Sequence, residues 1–297
     1  MRRLAVSLGL VFLSAPAFSQ TKEVVDAVET KLAALKYVQG LAVADGGFKG
    51  TADAKGPSLR GTSAGLRAVK YLGGEVENKG KYTAFVMSCF DPKTGGFADA
   101  PDGKPDVFLT AVGVMACVEL GVPKEKFAKA MDYLKENAKS FEDVRIGAAA
   151  VEAWGVKECP FPLDDWFGIA EKHCTALGFS PALEDGARDS GSLGAMYLRL
   201  GKPVGERMAE FLQTGQRPDG GWGKGKGNTS DAESTYRVMR AFMLLKAKPK
   251  DPAAVRKFLA SCRNKDGGFA SKPGDPSTVG GTYQFAIITK WLDEMEK

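Results

Sequence analysis

Two adjacent glycines followed by an aromatic residue recur along this chain, as "ADGGF" at 44–48, "KTGGF" at 93–97, "PDGGW" at 218–222 and "KDGGF" at 265–269. Their first glycines, Gly46, Gly95, Gly220 and Gly267, stand 49, 125 and 47 residues apart. The long interval holds three units of about 42 residues, so the pattern reads as one period carried through the molecule, and a period of this size is the mark of a repeat architecture. Two worn copies fill the gap. One is "MDYLKENAKSFEDVRIGAAAVEAWGV"; the other, "WFGIAEKHCTALGFSPALEDGARDSGSLGAMYLRLG", keeps a single Gly178-Phe179. The six units run over about 30–75, 78–121, 123–156, 163–201, 203–247 and 250–292.

Every unit has the same grammar. A first helical segment, such as "ERMAEFLQTGQ" or "AAVRKFLASCR", ends before the glycine turn. A polar loop follows, then a second helical segment such as "DVFLTAVGVMACVELG" or "DAESTYRVMRAFMLLK". In the latter, Val238, Ala241, Phe242 and Leu245 form one apolar stripe at helical spacing, and Tyr236, Met239 and Met243 form another. A helix apolar on two sides must be covered on both. The arrangement this predicts is all-α: an (α/α)6 toroid, with six second helices as an inner ring and six first helices outside. The glycines let the chain reverse between rings, because glycine tolerates positive φ. Phe48, Phe97, Trp222 and Phe269 are then free to pack on the neighbouring repeat.

These residues resemble the prenyltransferase and squalene-cyclase repeat family, whose units form α/α toroids. "FLQTGQRPDGGWG" is similar to that family's QW motif, and "TGGFADAPDGKPDVFLTAVGVMACVELG" is most similar to a repeat of the protein geranylgeranyltransferase β-subunits. The resemblance covers nearly all of the chain after its first residues. It implies a catalytic zinc held by an Asp-x-Cys pair and a histidine, because zinc must grip and activate a thiolate while keeping one position open. On those positions this chain places Asp231, Glu233 instead of cysteine, and a site near Gly281 instead of histidine. Asp231 and Glu233 are therefore the candidate metal residues, for a hard divalent ion with waters. The other reading makes them helix-start carboxylates, with Asp231 or Ser230 as the cap. His173, the single histidine, falls on an outer helix. The family's diphosphate-neutralising arginine and lysine fall on Gly225 and Asn228, so Lys224 and Lys226 are the candidate diphosphate ligands in a shifted clamp. Ser234 replaces the tyrosine beside the zinc cysteine. No cofactor is expected, and zinc only if the chain is an active transferase.

The cyclase side of the family needs an acidic D-x-D-D, which Asp164-Asp165 and Asp231 do not reproduce, and an isolated carboxylate is a poor acid for an alkene.

Composition narrows the partners. The net charge of +5 over 297 residues comes with bases and acids interspersed and no arginine-rich block, which argues against nucleic acid. Arg2 and Arg3, an apolar run from Leu4 to Leu13, and small residues at Ala17 and Ser19 have the anatomy of a signal peptide over 1–19. The expectation is an exported protein, periplasmic or extracellular, with one toroid domain over 20–297. Its five cysteines make no C-x-x-C pair; Cys89 and Cys262 occupy matching repeat positions as buried hydrophobes, while Cys159 and Cys174 could pair in an oxidising compartment.

For function, the expectation is an apolar small molecule or peptide in the central cavity; Phe108, Met115, Met196, Tyr236, Met239, Phe242, Tyr283 and Phe285 are the candidate apolar residues of the inner helices, some of which must face the outer ring instead. The family's transferases add a protein partner on the toroid rim. Two alternatives stand beside a zinc-free binding protein: an active geranylgeranyltransferase-like enzyme with altered ligands, and a secreted carbohydrate-active α/α barrel, which would need two opposed carboxylates.

Overall fold

The computed structural model describes residues 17–177, 186–225, 227 and 229–297. Gly178-Phe179, Lys226, Asn228 and the start of the expected signal peptide lie outside them. Twelve α-helices of the described residues fall in six consecutive pairs. These are α1 (Ala17–Gly40) with α2 (Leu59–Tyr71), α3 (Lys79–Ser88) with α4 (Val107–Leu120), and α5 (Lys129–Asn137) with α6 (Phe141–Trp154). They continue with α7 (Asp164–Leu177) and α8 (Gly186–Arg199), α9 (Met208–Thr214) and α10 (Ala232–Leu245), and α11 (Pro252–Ser261) and α12 (Val279–Met295). Among the described residues there is no strand, only isolated bridges at three of the glycine turns. No described helix is long and apolar enough to cross a membrane.

The even-numbered helices close a ring. Each packs on the next, α2 on α4 through to α10 on α12, and α12 returns to α2. The odd-numbered helices lie outside it: α3 and α5 against α4, α7 against α6, α9 against α8 and α10, and α11 against α12. Helix α1 sits across the seam, touching both α2 and α12. Closure matters because a stack of repeats otherwise exposes an apolar face at each end.

Local chemistry sets where each inner helix begins. Ser58, Asp106, Asp231 and Thr278 are N-caps whose side chains accept from the amides of Gly61, Leu109, Ser234 and Gly281, at 3.0, 2.6, 2.7 and 2.9 Å. Ser140 and Asp143 form a reciprocal capping box at the start of α6. Each such cap contributes about 1 kcal/mol.

The glycine pairs now have a physical account. Gly220 has φ of 99°, and a Cβ there would stand 2.1 Å from the Ala254 carbonyl oxygen of α11. Gly46, Gly95 and Gly267 meet Lys81, Lys129 and Ala33 in the same way, so each turn seats the outer helix of the next pair, and the last turn seats the first helix. The aromatic residue that follows is tied to its own inner helix. The amides of Phe48, Phe97, Trp222 and Phe269 donate to the hydroxyls of Thr62, Thr110, Thr235 and Thr282, each at 3.0 Å. The expected packing on the neighbouring repeat is also present at Phe48, which stacks on Tyr82 with centroids 5.2 Å apart. Phe48 and Phe97 each also lie against a bare glycine of their own repeat, Gly65 and Gly113.

Apolar side chains fill the space between the rings, including Met239, Phe242 and Phe285. Cys89 and Cys262 are buried there as expected, and burial pushes both thiols up to about 11. Cys159 and Cys174 are half-buried free thiols.

Candidate functional site

Inside the ring is a cavity of about 490 Å³ to which all six inner helices contribute. Their lumen faces recur at one helical spacing. On α6 the stripe reads Arg145, Ala149, Glu152; on α10 it reads Glu233, Arg237, Arg240, with Tyr236 beside it. One side of the lumen is apolar: Phe108, Val112 and Met115 on α4, and Ile146 on α6. The other side is cationic and phenolic: Arg67 and Tyr71 on α2, Arg199 on α8, Tyr236, Arg237 and Arg240 on α10, and Tyr283 on α12.

This corrects the expectation of an apolar concavity. Phe108, Met115, Tyr236 and Tyr283 line the lumen, but Met239, Phe242 and Phe285 are buried against the outer ring. Met196 is buried beside a small recess off the main cavity, next to Arg199 and Arg240. The face that meets the outer helices must be apolar, whereas the face toward the lumen is free to carry charge. The lumen arginines were missed for a related reason: a polar stripe on a helix reads as an ordinary solvated surface.

Ion pairs organise the charged side. Arg237 donates to Glu142 through Nη1 at 2.8 Å and Nη2 at 3.1 Å, and to Glu233 at 2.6 Å. Arg145 reaches Glu142 at 2.9 Å. Burial by itself would raise the Glu142 carboxyl, but the Arg237 hydrogen bonds and the Arg145 charge outweigh it and hold the group at about 2. At Glu233 burial is likewise overcome by Arg237, which keeps the carboxyl below its usual range. Glu152 accepts from Arg240 at 2.7 and 2.8 Å and lies 3.2 Å from Arg199 Nε.

Between these pairs and α12 runs a short relay. Arg67 donates to the Tyr283 hydroxyl at 3.3 Å, and Tyr283 donates to the Tyr236 hydroxyl at 3.3 Å. Tyr236 also stacks on Trp291. Burial would raise the Tyr236 phenol, but the charges of Arg199, Arg240 and Arg67 prevail and lower it to about 8. Tyr283 moves the other way, upward, through burial and against the negative charge that Tyr236 acquires.

The candidate metal and diphosphate residues are not gathered into one site here. Asp231 is the N-cap of α10, and both its oxygens are engaged by Ser234, the amide at 2.7 Å and the hydroxyl at 2.9 Å. Glu233 points to the lumen and to Arg237. Lys224 is exposed on the preceding loop and is not part of the lumen lining; that loop is held by Arg217, which donates to the carbonyls of Gly225 and Thr229. A Cβ on Gly281 would stand 2.5 Å from the Phe269 carbonyl oxygen, so the family's histidine position has no room for a side chain. His173 stacks on Phe141 at 4.1 Å from the outer helix α7. Asp231 and Glu233 thus take different partners and the third donor is missing, so these residues do not fit the family's zinc. Among the described residues no three His, Cys, Asp or Glu side chains are grouped to hold a metal ion.

A closed six-membered ring of helix pairs around a central cavity defines an α/α toroid. The chain belongs to the prenyltransferase α-α toroid domain family, whose model matches residues 63–136 and 195–296. It is 34% identical over 110 residues to the protein farnesyltransferase subunit beta of Pyricularia oryzae, a match covering 34% of this chain and 21% of that protein. The chain therefore spans about a fifth of the curated relative it matches. Among solved structures it is similar to a wild-type glycosidase, with TM-score 0.60 and 14% identity, and to a glycosidase variant in complex with glucose, with TM-score 0.59 and 13% identity. Each likeness covers 92% of this chain and 98% of the other, and at such identity it speaks for the fold alone.

Proposed function

We propose that this chain is an exported toroid that binds an amphiphilic small molecule in its lumen, without the zinc chemistry of the family's transferases. One observation carries the reading: the apolar patch of Phe108, Val112 and Met115 on α4 with Ile146 of α6 stands across the ring from the arginines and tyrosines of α10 and α12. A cavity with one apolar side and a few convergent polar groups suits a chain with a polar head. A peptide with an apolar side chain is the other occupant of this chemistry, and a protein on the rim is compatible with it. The amino-terminal arginines and apolar run support export.

Trp291, stacked behind Tyr236, is the natural reporter. Titration with farnesol or another neutral long-chain alcohol is expected to change tryptophan fluorescence saturably, whereas a short alcohol does not. No saturable change would remove the reading. One zinc per chain retained through dialysis would favour the active transferase, as would geranylgeranyl diphosphate binding that is lost in a Lys224→Ala/Lys226→Ala variant.

The carbohydrate-active reading draws on the lumen carboxylates Glu119, Glu152 and Glu233. A glycoside hydrolase needs one carboxylic acid that keeps its proton. Arginines instead hold Glu142 and Glu233 ionised, Glu152 is paired with Arg240, and Glu119 is paired with Lys70. A glycan screen with reducing-end detection is expected to show no release of sugar.

A further inference from the structure

Charge does not balance around the lumen, and the excess is local. Arg145 and Arg237 share two carboxylates, Glu142 and Glu233. Toward α12 the count differs: Glu152 by itself serves both Arg199 and Arg240. Arg67 touches no carboxylate; its guanidinium donates to the Ser63 carbonyl, the Ser63 hydroxyl and Tyr283. Glu119, the remaining lumen carboxylate, is paired with Lys70. Three guanidiniums thus have one carboxylate in direct contact among them, Glu152, and Arg67 feels Glu119 only at longer range. A buried cation without a partner is expensive, and so is a buried donor without an acceptor. Arg240 Nε is such a donor, buried and with no hydrogen-bond acceptor.

We propose that Arg67, Arg199 and Arg240, with the hydroxyls of Tyr236 and Tyr283, form a seat for one oxyanion, the carboxylate or phosphoryl head of the ligand, and that the seat takes up a proton as it fills. It lies apart from the Lys224 loop, where the family's diphosphate groups fall. The proposal rests on the lumen being the binding site.

The proton follows from the same imbalance. In the empty seat, as pH rises through about 8, Tyr236 becomes the counter-ion: its phenol releases a proton to solvent, and the phenolate accepts from Tyr283 while facing three guanidiniums. Its position at about 8 agrees with that role. Neighbouring elements present Arg199 from α8 and Tyr283 from α12. Across the lumen stand Arg67 and Tyr71 on α2, Glu119 on α4, and Arg145 and Glu152 on α6. On its own helix are Glu233, Arg237 and Arg240. An arriving oxyanion supplies the missing negative charge, and two anions repel in so confined a space. Tyr236 therefore takes a proton back from solvent and donates it in a hydrogen bond to the ligand oxygen. No bond to carbon or phosphorus is made or broken.

Calorimetric titration of the full chain at about pH 8 with inorganic phosphate, pyrophosphate and dodecanoate tests the seat. At least one of them is expected to bind, with a heat that depends on the buffer's ionisation enthalpy in the direction of proton uptake. Tyrosinate absorbance is expected to fall as the seat fills. The preferred titrant tells whether the head is phosphoryl or carboxylate. Arg67→Met is expected to weaken binding by about tenfold or more, the worth of a charge-assisted hydrogen bond. Tyr236→Phe is expected to bind still but without proton uptake. If Arg67→Met does not fold, the wild-type absorbance change and the Tyr236→Phe titration decide. Failure of all three oxyanions to bind overturns the proposal, as does proton uptake that persists in Tyr236→Phe. Binding of farnesol without binding of any oxyanion would sink the seat and leave the amphiphile reading standing; phosphate binding without farnesol binding would do the reverse.

Discussion

Arg237 on α10 holds Glu142 on α6 by two hydrogen bonds, at 2.8 and 3.1 Å, although α8 lies between their helices in the ring. The two side chains meet because α8 presents the small residues Ser192 and Ala195 to this part of the lumen. Arg240 and Glu152 make a second link between the same two helices. Alternate members of the ring are thereby tied directly, besides the apolar packing that joins neighbours.

Loss of the first link has a defined cost. Arg237 is 7% exposed at its side chain and Glu142 50%. Breaking a fully buried pair costs 3–5 kcal/mol, and the exposure of Glu142 reduces this, so Arg237→Ala is expected to lose about 2 kcal/mol in urea denaturation. Glu142→Gln is expected to lose less, since Arg237 keeps Glu233. An unchanged midpoint in Arg237→Ala would show that the link is not a structural tie.

Acid weakens the same link. Glu142 sits at about 2 in the folded chain against an ordinary 4.5. Its folded value is depressed, so its contribution is fully present above about 4.5 and disappears as pH falls toward about 2. Melting temperature followed across that interval is expected to fall less steeply in Glu142→Gln than in the wild type.

A tyrosine titration isolates Tyr236. Near-ultraviolet absorbance of the ligand-free chain is expected to show one tyrosine ionising at about 8, absent from Tyr236→Phe. This group is also depressed, so its contribution to stability grows as pH rises from about 8 toward its ordinary 10. A wild-type curve with no ionisation below the ordinary range would contradict the convergence of Arg199, Arg240 and Arg67 on this phenol.

The glycine turns are tested by a matched pair. Gly220→Ala combines a φ of 99° with a Cβ 2.1 Å from the Ala254 oxygen, whereas a Cβ on Gly205 meets nothing within 4 Å. Gly220→Ala is expected to destabilise by well over about 1 kcal/mol and Gly205→Ala to change little, as read by thermal melting. Equal effects would mean that the turn does not seat α11.

Thr282→Val examines the tie between turn and inner helix. It leaves the buried Phe269 amide without its acceptor at nearly constant side-chain volume. The expected loss is about 1–3 kcal/mol in denaturant midpoint, the penalty for an orphaned buried donor. A neutral outcome would assign the turn's stability to the aromatic ring instead.

The period of the glycine turns, the apolar stripes and the helix-start reading of Asp231 are local features, and local chemistry decides them: positive φ, helical spacing and side-chain acceptors near free amides. From these the sequence by itself determined an all-α chain of six helix pairs and the matching burial of Cys89 and Cys262. Its candidate site residues were chosen by position in a motif, and position does not say where a carboxylate points. Asp231 turned out to hold Ser234, while Glu233, two residues on, reaches the lumen.

What only the tertiary structure decided is which polar stripe faces the centre. Glu142 and Arg237 are 95 positions apart, and neither their pairing nor the gathering of Arg67, Arg199 and Arg240 around Tyr236 leaves a trace in any one repeat. A charged stripe on a helix has the same periodicity whether it faces bulk water or a closed lumen. Ring closure is what turns it inward, and closure depends on contacts between the first pair of helices and the last.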